Sequence, residues 1–146
     1  MERTRIALAS DHAGYSLKEL IKEWLNNNGY SVTDFGTNSS ESCDYADYAH
    51  PMASSVEENR NDLGISVCGS GNGINMTANK HQGIRAALCW NKEIAALARS
   101  HNDANVCSLP ARFISNDEAF EIVRTFLMTK FDGGRHQTRI NKIPCC

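Results

Sequence analysis

LGISVCGSGNGINMTANK, residues 63 to 80, is the stretch on which the rest of the chain is read. Ile65 and Val67 carry an apolar run that ends in Cys68. Gly69-Ser70-Gly71-Asn72-Gly73 interrupts it, and the following residues suit a helix. The order is strand, glycine turn, helix N-terminus. Three glycines within five residues leave little side-chain bulk, so the backbone N–H groups of the loop can approach a ligand and face negative charge. Donors of this kind also favour the thiolate of a neighbouring cysteine. The stretch therefore predicts a thiolate beside an anion hole.

Working outward, the same strand-turn-helix pattern repeats. Arg5 to Ser10 is an apolar run that stops at Asp11-His12-Ala13-Gly14, and Tyr15 to Asn28 then places Leu17, Leu20, Ile21, Trp24 and Leu25 at helical spacing. Gly29 suits the position after a helix, and Tyr30 to Phe35 alternates into a second strand ending at Gly36. Residues 37 to 44 read as a loop, and Tyr45 to Asn59 as a helix that Pro51 either kinks or begins. Ile84 to Cys89 and Ala104 to Leu109 are further strands. Asn91 to His101 and Asn116 to Phe131 are helices, the latter with Asn116 as N-cap and Glu118 and Glu121 near its positive end. Short apolar strands alternating with helices predict an α/β chain whose parallel sheet is covered on both faces, with ligands gathering beyond the carboxyl ends of the strands. Asp11, Cys68 and Arg112 all fall at or just after such ends.

A chain of 146 residues with 41% hydrophobic content suits one domain spanning residues 1–146. A net charge of -2 and a pI near 6.2 give no global attraction to nucleic acid or to an anionic membrane. No run approaches the roughly 20 apolar residues of a membrane span, and the expected setting is cytoplasmic. Cys43, Cys68, Cys89, Cys107, Cys145 and Cys146 include no CxxC pair, so they are read as thiols rather than as disulfides or zinc ligands.

Most unpaired cysteines are small buried hydrophobes, and Cys89 and Cys107, inside apolar strands, fit that description. Cys68 differs because it ends a strand and opens a glycine loop. Gly69, Gly71 and Gly73 do not make GxGxxG, and Cys89 stands where a dinucleotide site needs an acid, so a nucleotide fingerprint is missing. Ile74 occupies the place of the arginine that a cysteine phosphatase loop requires. Asp11 either caps the first helix or faces a ligand at Cys68, and His12 is either a loop residue or its partner. His101, with Asn102 after the helix, either complements a helix C-terminus or transfers protons near neutral pH. His50 and His81 have no such company and are read as surface residues. Arg135, His136 and Arg139 form a basic cluster, with the two arginines on one face if a helical turn follows Gly134, and Arg112 can join them.

Six ordered motifs then bear on identity: SDHAG at 10 to 14, CDY at 43 to 45, CGSGNGINMTANK at 68 to 80, GIRAA at 83 to 87, HNDANV at 101 to 106 and GGRHQTR at 133 to 139. Through them the chain resembles the family of sugar-phosphate isomerases that holds the B-type ribose-5-phosphate, galactose-6-phosphate and allose-6-phosphate isomerases. The resemblance implies a Rossmann-like three-layer α/β/α sandwich on a five-stranded, mostly parallel sheet. It implies a homo-oligomer, dimer or tetramer, with active sites shared between subunits, a tail (residues 132–146) that reaches the partner, and no metal or organic cofactor.

By the same resemblance, Cys68 is the base that moves a proton between C2 and C1 of an opened sugar. The amides from Gly69 through Gly71 and Asn72 to Gly73, with Ser70, hold the developing oxyanion. His101 opens the ring, while Asp11, Asp44 and Asn102 bind hydroxyls. His12, Arg112, Arg135, His136 and Arg139 clamp the phosphate. The implied reaction is ribose 5-phosphate to ribulose 5-phosphate. A six-carbon sugar phosphate is the rival within the family, and a non-catalytic nucleotide-binding module the rival outside it. Two positions depart from the family pattern: Ala46 follows Asp44-Tyr45 where proline is common, and Asn75 stands where another branch carries a glutamate base.

Overall fold

The computed structural model describes residues 2–145, which leaves Cys146 outside. In chain order the elements are β1 (Arg5–Ser10), α1 (Tyr15–Asn27), β2 (Ser31–Asp34), α2 (Tyr45–Glu57), β3 (Leu63–Cys68) and α3 (Asn72–Ala78). They continue with β4 (Ala86–Leu88), α4 (Lys92–Asn102), β5 (Val106–Pro110), α5 (Asn116–Met128) and α6 (Arg135–Ile140). The five strands form one sheet in the order β2-β1-β3-β5-β4, and every pairing is parallel.

Strand order fixes which face each helix covers. A right-handed crossover that moves one way along the sheet lies on the opposite face from one that moves back. The step from β1 to β2 runs one way, the steps from β2 to β3 and β3 to β4 run the other, and the step from β4 to β5 reverses again. Accordingly α1, α4 and α5 share one face, where Leu17, Ile21, Ala95, Ile122 and Phe126 pack on Ile6, Leu8, Ile65, Val67 and Leu109. Helices α2 and α3 cover the other, where Met52, Ala53, Val56 and Ala78 meet Ala7, Ala9 and Val106. Alternate residues of β1 thus serve opposite layers: large ones under α1, alanines under α2. The direction of travel changes between β1 and β3, so the crevice at their carboxyl ends is where a ligand belongs in such a sheet.

Several details differ from the sequence-based expectations. Of the two readings of Pro51, the structure excludes that it begins α2: it is the seventh helical residue, so α2 runs through a position that lacks an N–H. The N-cap of α5 is Ser115, not Asn116. Its hydroxyl accepts from the Glu118 amide at 3.1 Å while the Glu118 carboxylate accepts from the Ser115 amide at 3.0 Å. Strand β4 is three residues long, because the Ile84 amide turns back to the His81 carbonyl. Asn102 belongs to the last turn of α4 rather than following it.

Candidate active site

Strand β3 delivers Cys68, 4% exposed, to the floor of a cavity of about 640 Å³. The loop beyond Cys68 is built for close approach. Gly71 takes φ +76 as the N-cap of α3, and a Cβ there would lie 2.4 Å from Leu88. Strand β5 ends beside β3, and its continuation is tied to the loop: the Ala111 amide donates to the Cys68 carbonyl at 2.9 Å and the Arg112 amide to Gly69 at 3.0 Å. The Arg112 guanidinium therefore lies over Gly69, where a Cβ would sit 3.1 Å from it.

The turn after β1 forms the opposite wall. The Asp11 amide donates to the Val67 carbonyl at 3.3 Å, and the Asp11 carboxylate accepts from the Gly14 amide at 3.0 Å. Asp11 is thus both a turn-former and a cavity residue, since its second oxygen has no part in that bond. His12 Nδ1 accepts from the Cys43 amide at 3.2 Å, which assigns the ring proton to Nε2 when the ring is neutral. Asp44 precedes α2, and its side chain caps no amide of that helix. Of the predicted residues, Asp11, His12, Asp44, Cys68, Gly69, Ser70, Gly73 and Arg112 line this one cavity.

Cys43, Tyr45 and Phe113 line it too, and sequence reasoning gave none of them a role. Tyr45 closes a wall by packing on Gly73, where a Cβ would lie 2.4 Å from the ring. A glycine in the first turn of a helix is the signal that could have predicted such an approach. Gly71 and Asn72 do not line the cavity. Gly71 is buried and shapes the turn, and Asn72 is the exposed first residue of α3. The hydroxyl of Ser70 accepts from the Asn72 amide at 3.3 Å.

The remaining predicted residues gather elsewhere. The rings of His101 and His136 stack with centroids 4.3 Å apart and planes 14° from parallel. Around them a second cavity of about 130 Å³ is lined by His101, Asn102, His136, Arg139, Ile140 and Ile143. The two cavities share no residue. The predicted constellation is therefore divided within one chain, base and loop in one place, ring-opening histidine and basic tail in the other. Arg135 and Arg139 do fall on one face of α6, as their spacing predicts, but Arg135 lines neither cavity.

The Asp132 amide fastens the tail to α4 by donating to the Ser100 carbonyl at 2.9 Å. Desolvation, then the charges of His101 and Arg135, hold the His136 imidazole below its ordinary value, with Asp132 opposing them. The ligand atoms of His101, Asp132 and His136 lie within 4.8 Å of one another. The nearly parallel rings direct their lone pairs side by side rather than to one point, so a metal ion would need one ring to turn.

Elsewhere, Cys89 and Cys107 are buried in the core, and the Cys107 thiol is pushed up by its hydrogen bond with Cys89 and by burial. His50 and His81, expected as isolated surface residues, instead pair: His50 Nδ1 lies 2.8 Å from His81 Nε2, and Glu57 lies 3.5 Å from the other nitrogen of His81. The tail ends on its own chain, where Gln82 and the Cys145 backbone exchange two hydrogen bonds of 3.2 Å. No described helix is long and apolar enough to cross a membrane.

The profile of the Ribose/Galactose Isomerase family matches residues 6–143. The ribose-5-phosphate isomerase B of Escherichia coli strain K12 is 42% identical over 139 residues, covering 95% of this chain and 93% of the relative. A crystal structure of a ribose 5-phosphate isomerase from Thermotoga maritima superposes with a TM-score of 0.96 at 52% identity, covering 98% and 99% of the two chains. The Mycoplasma genitalium ribose-5-phosphate isomerase B, solved with bound ribulose-5-phosphate, gives 0.94 at 45% identity over 98% and 95%. Sheet order, the placing of Cys68 beneath its glycine loop and these likenesses converge: the chain belongs to the ribose/galactose isomerase family.

Proposed function

We propose that this chain is an aldose-ketose isomerase that interconverts D-ribose 5-phosphate and D-ribulose 5-phosphate in the non-oxidative pentose phosphate pathway, and that it works in the cytoplasm. The observation that carries the reading is the Cys68 thiol at the end of β3, in one cavity with Gly69, Ser70, His12 and Arg112. A relative 45% identical over nearly its full length binds ribulose-5-phosphate.

In this reading Cys68, as thiolate, removes the proton from C2 of the open-chain aldose. The electron pair forms the C1–C2 double bond while O1 takes the negative charge. Cys68 then returns the proton to C1, and the O2 proton passes to O1. The charge on O1 and O2 is met by backbone N–H groups of the Gly69 to Gly73 loop and by Ser70, donors fixed before the reaction starts. Asp11 and Asp44 orient hydroxyls. His12 and Arg112 hold phosphate, so that remote binding energy positions the reacting carbons.

His101 serves as the acid/base that opens the sugar ring, with Asn102 on a hydroxyl and Arg135, His136 and Arg139 on phosphate. Because His101, Asn102, His136 and Arg139 line a separate cavity within one chain, the complete site requires a second copy, whose tail (residues 132–146) and α4 end face the Cys68 cavity of the first. A homo-oligomer with shared sites satisfies that requirement. The cavity at Cys68, about 640 Å³, also admits a six-carbon sugar phosphate, which is why the substrate must be tested directly.

The decisive assay follows ribulose 5-phosphate formation from ribose 5-phosphate, with allose 6-phosphate in parallel and a chelator present. Wild type turns over the pentose, and Cys68→Ala loses at least about 10³-fold in kcat, within the range general-base catalysis contributes. Substantial activity in Cys68→Ala sinks the assignment of the base, and turnover of only the hexose moves the chain to the other branch of the family.

A further inference from the structure

We infer that Arg85, which lines neither proposed reaction cavity, is the positioning residue that holds the His101–Asn102 end of α4 in place. The inference rests on the proposed role of His101. Arg85 stands just before β4, with its side chain 25% exposed. Its Nε donates to the Asn102 carbonyl at 3.0 Å and to the Asp103 carbonyl at 3.1 Å, and its terminal nitrogen donates to the Asp103 carbonyl at 2.8 Å. Carbonyls at a helix C-terminus have no partner within the helix, and a guanidinium both satisfies them and complements the negative end of the dipole.

The same residue is fixed from behind. The Arg85 amide donates to Asn105 Oδ1 at 2.8 Å, the Asn105 amide donates back to the Arg85 carbonyl at 3.0 Å, and Asn105 Nδ2 donates to Gly83 at 2.9 Å. Arg85 therefore references the end of α4 to the sheet. Asp103 completes the arrangement in the left-handed region, φ +46, with its carboxylate between Arg99 at 2.9 Å and Arg85 at 3.5 Å. Arg99 belongs to α4 itself and cannot supply that reference. Among the described residues, Arg85 alone reaches the Asn102 and Asp103 carbonyls with a side chain from outside the α4–β5 segment. Without it the last turn of α4 frays, and the His101 ring loses its register on His136.

The test replaces Arg85 with Gln and with Lys and reads two signals. Carbon-proton spectra of the five histidines, assigned by single replacements, report ring environment whichever sugar is turned over, so failure of the isomerase reading is seen separately in the assay. In Arg85→Gln the His101 and His136 signals move and broaden while His12 stays, and kcat from the ring-closed aldose falls about ten- to hundredfold. Arg85→Lys, which reaches a single carbonyl, recovers part of both. If Arg85→Gln does not fold, Arg85→Lys still gives the spectral reading. Unmoved His101 and His136 signals overturn the proposal, whatever the kinetics. So does loss of all five signals together with a lowered melting temperature in both variants, which is the mark of a merely structural role.

Discussion

Position separates Cys68 from the other thiols. Cys107 is sealed between β3 and β4, where its hydrogen bond with Cys89 and its burial oppose ionisation, whereas Cys68 ends its strand at a cavity. His136 shows the same dependence on surroundings, and it yields a pH prediction. Desolvation and neighbouring positive charge lower its pKa from the ordinary value of 6.5. Below that value the unfolded chain takes up a proton that the folded chain resists, so stability falls as pH drops through the window beneath 6.5, and the contribution is complete above it. The protection of the α6 amides, measured against the intrinsic exchange rate at each pH, is expected to fall on going from about pH 7.5 to pH 5. His136→Gln should flatten that dependence, whereas Arg135, Arg139, His101 and Asp132, which also face the ring, remain. Cys68 was legible in the sequence because a strand end followed by glycines is a local signal. Cys43, Tyr45 and Phe113 were not, because only contacts across the fold bring them to the cavity.

Among the elements, α3 shows most directly how backbone geometry makes the site. The helix begins at a glycine in the left-handed region, with Leu88 and the Leu109 carbonyl 2.4 Å and 3.2 Å from where a Cβ would stand. Gly71→Ala should cost about 2–4 kcal/mol through strain and overpacking. That lowers the melting temperature by roughly 5–15 °C, and a thermal melt checks it. An unshifted melt would mean that the loop relaxes freely. The regular elements were readable because apolar spacing is a property of neighbours in sequence. The exceptions arise where particular contacts overrode local preference. Pro51 is carried inside α2 by the packing of Met52, Ala53 and Val56 on the sheet. Strand β4 is short because the Ile84 amide is taken by the His81 carbonyl, a turn that closes the approach to the strand.

For the whole molecule, the division of the site into two cavities makes a prediction about assembly. If the proposed base and the proposed ring-opening histidine come from different copies, Cys68→Ala and His101→Ala chains, each inactive alone, regain activity when mixed and reassembled. Random dimers should show about a quarter of wild-type turnover, because half the dimers are mixed and each mixed dimer holds one complete site. No recovery, with mixed dimers confirmed by mass, places the whole site within one chain. The motifs named the parts of the proposed site, but no linear spacing could say that they line separate cavities of one chain.

The strand order also governs the sequence of events during synthesis. Residues 5 to 68 already contain three adjacent strands, β2, β1 and β3, so one half of the sheet can assemble while the rest is still being made. Strand β4 emerges next but has no hydrogen-bonding neighbour until β5, at Val106–Pro110, is synthesised. A nascent chain paused between these two strands exposes the unpaired edge of β3 and carries β4 loose. An unpaired edge of this kind is a template for pairing with another chain, so that interval is one in which aggregation is favoured.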